Sequence, residues 1–362
     1  MMMKYRPARI VSPGQIIKDE LDERGWTQKD LAEIMGRPYQ AINEIIRSTK
    51  QITPQTAREL AQAFGTSPEF WLNLEMKYQL HKSPKEEKEQ KIARRSWLYS
   101  FLPVKDLIKR NWINGSNSIS ELEKQICDFL DINSIDQLQT LSVNLRQSIA
   151  RSPEGAPVVA WVKRVEQLIV GQEVNEYDQG KIDDIIQGMK TLMNDAGRVA
   201  EVPGLLNEYG IYFIIVPHLP KTYLDGASFE LNGHPIIAMT LRYDRIDSFW
   251  FTLLHELAHI ALGHEGHLDY FDSGNEDVFE QEANKLASEW LIDQLALEEF
   301  INISLPHVSK DAVIAFSKRQ NIHPGIVLGQ LHKRGIVPYK NMRSFLEKVS
   351  LYLMEWIDNP VC

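Results

Sequence analysis

The stretch from Trp250 to His264, WFTLLHELAHIALGH, constrains this chain more than any other. At about 100° of rotation per residue in a helix, His255 and His259 lie one turn apart on one face, and Glu256 stands beside them. Leu254, Leu257 and Ala261 fall on roughly the opposite side. The spacing therefore predicts a helix with one stripe in a core and the other facing a cleft. The pattern is HExxH. Two neutral imidazoles so placed can hold zinc and leave a position for water, whose pKa the ion lowers towards neutrality while the glutamate takes its proton. An ordinary buried helix with hydrogen-bonded histidines accounts for a lone histidine better than for the full five-residue pattern.

Two histidines leave the site one ligand short. A histidine ten positions after His255 would supply it in one zincin class, but Glu265 stands there, and His264 is one place early. Downstream, Asp277 to Ile292 reads DVFEQEANKLASEWLI, a helix whose apolar face gathers Phe279, Ala283, Leu286, Ala287 and Trp290. Glu280 and Asn284 flank that face one turn apart, which makes Glu280 the expected third ligand and Asn284 a group able to orient a ligating histidine. Glu282, projecting with Lys285 and Glu289, is the alternative ligand.

HELAHIALGH followed by EQEANKLASEWLI resembles the ImmA/IrrE family of bacterial metallopeptidases, in which HExxH lies on one helix and an E-x-E-A-N/D segment on the next. The likeness runs from about Ala196 to Pro338, with Tyr209–Val216, Asp225–Phe229 and Pro235–Thr240 reading as strands before the zinc helix. Ala258 and Leu286 depart from the family's usual residues without removing a ligand. The resemblance implies proteolysis of a protein substrate, often a helix-turn-helix repressor. The segment NIHPGIVLGQLHKRG is similar to the helical end of these proteins.

The first 82 residues carry an independent signal. Ser12-Pro13, Thr27, Arg37-Pro38, Thr53-Pro54 and Ser67-Pro68 each open a short helical segment, and Gly25, Gly36 and Gly65 close three of them. Five such helices, the second and third separated by almost nothing, describe a helix-turn-helix domain. The segment resembles the Xre/Cro-like superfamily and within it the HigA antitoxin group. That resemblance places the third helix in the DNA major groove, with Arg37, Tyr39, Gln40 and Asn43 facing bases and Arg47 and Lys50 facing phosphates. It also implies operator DNA, homodimers and a cognate toxin as partners.

Residues 1–82 hold 12 Lys and Arg against 10 Asp and Glu, so the remainder carries −11 although the whole chain is −9. The acidic part is unsuited to nucleic acid, and a weakly positive reader suggests a dimer on a two-fold symmetric operator. Between the recognised parts, residues 83–195 read as linker and helical middle domain, the charged stretch His81–Arg95 (HKSPKEEKEQKIARR) running into helix. Its helices are expected in 96–113, 118–130, 135–149 and 157–170. Trp97, Trp112 and Trp161 are expected in its core. A peptidase domain over 196–340 and a C-terminal helix over 341–362 complete the expected architecture: mainly α, with a small α+β zincin-like part. No run of about eighteen apolar residues and no signal sequence is found, and two distant cysteines indicate no disulfide framework. These features fit a cytoplasmic protein. The whole reads as a DNA-binding regulator with a zinc endopeptidase that cuts a repressor or itself, the stretch Pro84–Arg95 being the accessible place for self-cleavage. The alternatives are a metal- or partner-binding sensor without activity, or a peptidase whose helix-turn-helix only recruits it to a repressor.

Overall fold

A computed structural model describes residues 11–82, 87–138, 155–220, 222–264, 267–268 and 278–358. The chain divides into two compact units, Met1–Arg94 and Arg95–Cys362.

In the first unit α1 (Pro13–Arg24) begins at Ser12, whose hydroxyl accepts the Gln15 amide at 3.2 Å, and ends at Gly25 in the left-handed conformation. Thr27 and Asp30 form a reciprocal capping box that starts α2 (Gln28–Ile34). Next come α3 (Tyr39–Ile46), α4 (Pro54–Phe64), capped by Thr53, and α5 (Pro68–Lys82). Their apolar faces meet in one core that includes Ile17, Leu31, Ile42, Leu60 and Trp71. The core holds α2 and α3 as the helix-turn-helix pair and leaves the polar side of α3 outward. The expected linker is partly helical, because α6 (Glu87–Phe101) incorporates Glu87–Arg95; residues 83–86 lie outside the described residues.

The second unit is built on a sheet of order β1-β3-β2-β4: β1 (Tyr212–Ile215), β2 (Gly226–Leu231), β3 (His234–Met239) and β4 (His267–Leu268). β1 runs parallel to β3, while β2 is antiparallel to both β3 and β4. Asn232 and Gly233 both take positive φ and close the β2–β3 hairpin with the tight two-residue turn that such a dipeptide favours. Both faces of the sheet are covered, which explains the nearly unbroken apolar run of β1. Phe213 and Ile215 point into a core with α10 (Ile182–Leu192), α11 (Val202–Glu208) and α12 (Ile246–Leu262). Ile214 and Val216 face the other way, against α7 (Val104–Lys109), α8 (Ile119–Leu130) and α9 (Gly155–Ile169).

The helices of the expected middle domain thus share a core with the sheet, and no contact boundary falls at 195. Trp161 shows why: it is buried against the sheet, and its indole donates to the Val216 carbonyl at 2.8 Å. Of the helix expected at 135–149, residues 139–149 lie outside the described residues. Around the first core stand α13 (Val278–Leu291), α14 (Gln294–Ser304), α15 (Lys310–Gln320) and α16 (Pro324–Lys333).

The expected C-terminal helix is corrected. Residues 343–356 form short 3-10 turns. Their backbone is claimed by tertiary partners instead. The Asp244 carboxylate accepts the Val349 and Ser350 amides at 3.0 and 2.9 Å, and the Glu347 carbonyl accepts the Ile246 amide. Asp358 is bound by the Arg164 guanidinium through two hydrogen bonds, at 2.7 and 3.0 Å. Among the described residues, no helix is long and apolar enough to cross a membrane.

Candidate metal centre and nucleic-acid interface

α12 carries HExxH across the middle of the second unit. The expectation of one buried stripe and one open face is corrected: from Thr252 to His259 every residue is buried, because sheet, α13 and α16 enclose the helix. His255 and His259 are 0% exposed, and their Nε2 atoms converge to 2.9 Å. α13 delivers Glu280 to the same point, with carboxylate oxygens 3.2 Å from His255 Nε2 and 3.6 Å from His259 Nε2. The three donors fit a metal ion, since two imidazole nitrogens pointing at each other beside a carboxylate are the ligand set of a His₂Glu zinc site.

The electrostatics follow from this geometry. Burial works to raise the Glu280 pKa, but hydrogen bonds from His255 and His259 outweigh it and hold the carboxyl far below its usual range. Burial pushes His259 down, partly opposed by Glu280. Glu256 is fully buried beside the three candidate donors, and neither carboxylate oxygen has a hydrogen bond of normal geometry. Burial drives its pKa well above the ordinary value; the Ser228 hydroxyl pulls the other way, and Glu280 and Asp225 add to the rise.

Sequence reasoning read Asp225–Phe229 as a strand but missed that it confines this carboxylate. A Cβ built on Gly226 would fall 2.5 Å from Glu256 Oε1 and 2.9 Å from Thr252 Cγ2, so β2 can lie this close to α12 only with glycine there. The DGASF segment offered that glycine as the signal. His264 was missed as a supporting group. Gly263 closes α12 in the left-handed conformation, and the chain folds back so that His264 Nδ1 lies 3.1 Å from His259 Nδ1. Glu282, the alternative ligand, is 55% exposed and sits 3.6 Å from His264 Nε2, outside the cluster of three donors. Asn284 lies one turn beyond Glu280, but its Oδ1 is buried without a hydrogen-bond partner, so the expected bond to a ligating histidine is not made through that oxygen.

On the first unit the six residues expected to face DNA behave differently. Tyr39, Gln40, Arg47 and Lys50 are exposed on or just after α3. Gln40 donates to Glu44 at 3.1 Å, and Asn43 donates to Gln28 of α2 at 3.2 Å. Arg37 is drawn into an ion pair with Glu59 of α4, which the sequence reading did not anticipate. That pairing holds Arg37 against its own domain.

The fold and sites define a protein that joins a helix-turn-helix unit to a zincin-like unit. The model of the helix-turn-helix family matches residues 17–71, and that of the peptidase family described as the IrrE N-terminal-like domain matches residues 209–315. The chain is similar to an uncharacterized HTH-type transcriptional regulator of Haemophilus influenzae, with 34% identity over 80 residues covering 22% of this chain and 72% of the relative. It is similar to antitoxin HigA-1 of Vibrio cholerae, with 39% identity over 74 residues covering 20% of this chain and 70% of that protein. Among solved structures it resembles Pseudomonas aeruginosa antitoxin HigA with the higBA promoter, at 31% identity and a TM-score of 0.22, covering 23% of this chain and 90% of that one. The chain belongs to the HigA-type helix-turn-helix family and carries a C-terminal IrrE/ImmA-like peptidase domain.

Proposed function

We propose that this protein is an operator-binding regulator whose second unit is a zinc-dependent endopeptidase, acting on an Xre-type repressor or on the chain itself. The observation that carries the reading is a buried Glu256 on the same helix as two converging imidazoles, with Glu280 completing the ligand set. His255, His259 and Glu280 would hold the ion. When bound, zinc would polarise the substrate carbonyl and acidify a water. Glu256 is the residue that takes the proton, and a metal used only for structure would not need it. Burial of Glu256 excludes bulk water and keeps its basicity high.

For the first unit, the promoter named with the Pseudomonas HigA structure supports the same role here. Tyr39 and Gln40 would meet base edges from exposed positions, Asn43 would do so by exchanging Gln28 for a base, and Arg47 and Lys50 would meet phosphates. The small positive charge of residues 1–82 favours a homodimer on a two-fold operator. Pairing with a toxin, as antitoxins do, belongs to the same reading.

The decisive test is Glu256→Gln. It removes the proton acceptor and no ligand, so the purified protein should keep stoichiometric zinc and its fold, while hydrolysis of candidate repressors falls by about 10² to 10⁴. A wild-type protein that is fully metallated and cleaves none of them would instead favour a sensor. A footprint on the protein's own promoter region that survives joint replacement of Gln40 and Asn43 by Ala would remove α3 as the reader.

A further inference from the structure

A cleft of about 510 Å³ lies beside the N-terminal half of α12. Two of its wall residues, Phe251 and Thr252, stand one turn, about 5.4 Å of helix rise, before His255 and Glu256. Phe251 stacks on the His255 ring at 6.2 Å, and Asp225, also in the wall, precedes the glycine that touches Glu256. The cleft therefore adjoins the turn of α12 that precedes His255 and Glu256.

Among the described residues, the wall holds more basic than acidic side chains, although the whole chain carries −9. It contains Arg242, Arg245 and Lys333 against Asp225 and Asp247. Arg245 and Asp247 cancel in a two-bond pair at 2.8 and 3.0 Å. Arg242 faces Asp225 only at 3.8 Å and donates to the Tyr223 carbonyl at 3.2 Å, both through Nη1. A guanidinium has donors on Nε and Nη2 as well. Lys333 is also in the wall, its ammonium 4.3 Å from the centre of the Phe251 ring. Phe251, Ile326 and Tyr339 supply apolar surface between these charges.

We infer that this cleft is a specificity subsite that takes a glutamate side chain of the peptide substrate, with Arg242 and Lys333 receiving its carboxylate and the apolar wall covering its stem. The inference rests on the peptidase reading, and its test separates the two. The probe is the full-length, zinc-loaded protein carrying Glu256→Gln, titrated calorimetrically with acetyl-Ala-Ala-Glu-Ala-Ala-amide and with the Gln and Lys analogues. A peptide with a free C-terminal carboxylate and no glutamate is run beside them.

The glutamate peptide should bind on the order of tenfold tighter than its Gln analogue, with the preference shrinking at high salt. Arg242→Glu or Lys333→Glu should shift the preference to the Lys peptide. Lys333→Gln, a milder change, should only abolish the preference. Equal binding of all peptides, no binding, or a glutamate preference that survives both reversals overturns the subsite. Tighter binding of the free C-terminus than of glutamate overturns the side-chain assignment. Hydrolysis by the wild type without any charge preference would leave the peptidase reading standing and the subsite refuted. Charge-selective binding without hydrolysis would leave a carboxylate-binding cleft standing and remove its role as a peptidase subsite.

Discussion

Gly226→Ala tests the strand that confines Glu256. The added methyl would sit 2.5 Å from Glu256 Oε1 and 3.2 Å from its Cδ, whereas ordinary contact begins near 3.4 Å. Relief therefore requires the carboxylate to retreat by about 0.9 Å or β2 to peel from α12, and a misplacement of about 1 Å at a reacting group can cost about 10² in rate. Overpacking in a closed core adds roughly 1–3 kcal/mol of destabilisation. In a unit of this size that lowers Tm by about 2–4 °C per kcal/mol. The ligands are untouched, so zinc content should remain stoichiometric. Gly204→Ala is the control, since a Cβ there meets nothing within 4 Å. The assay is thermal unfolding, metal analysis and repressor cleavage on the three proteins. A Gly226→Ala protein with unchanged Tm and undiminished cleavage would refute the claim that this close approach positions the carboxylate.

Two further outcomes follow from the same structure. His264→Ala should weaken zinc by about 10- to 100-fold in chelator competition, because the contact with His259 Nδ1 fixes which nitrogen of that ring is free to bind; unaltered affinity would remove His264 from the site. The Glu59 carboxyl is held below its usual range, chiefly by the Arg37 hydrogen bond. Its folded pKa lies below the unfolded one, so the stabilisation is full above about pH 4.5 and is lost as pH falls through the depressed value. Glu59→Gln should flatten that acid-side loss in thermal unfolding followed by circular dichroism, and an identical acid slope would refute the pair's contribution.

How much of this was readable in advance depended on whether one element's periodicity was enough. HExxH needs only the pitch of α12, and the helix starts of the first unit need only local caps such as Thr27 with Asp30. Glu280 was readable because its helix displays an apolar face that fixes which carboxylate flanks it. Asn284 and Arg37 were not, since their hydrogen bonding is decided by tertiary neighbours. Oδ1 of Asn284 finds no partner, and Arg37 finds Glu59 on another helix. The C-terminal segment has helix-forming residues, but Asp244 claims amides that a helix would have used.

Glu256 and the two histidines of the candidate metal site lie on one helix yet are supported from different directions. Gly226 and Ser228 of β2 bear on the Glu256 carboxylate. Glu280 comes from α13, and His264 approaches His259 only because Gly263 ends α12 and turns the chain back. A perturbation of β2 should therefore lower hydrolysis at constant zinc, whereas one at the end of α12 should lower both together. A single rigid support would instead couple the two losses in every variant. Comparing Gly226→Ala with His264→Ala therefore reads whether proton transfer and metal retention are held by separate parts of the fold.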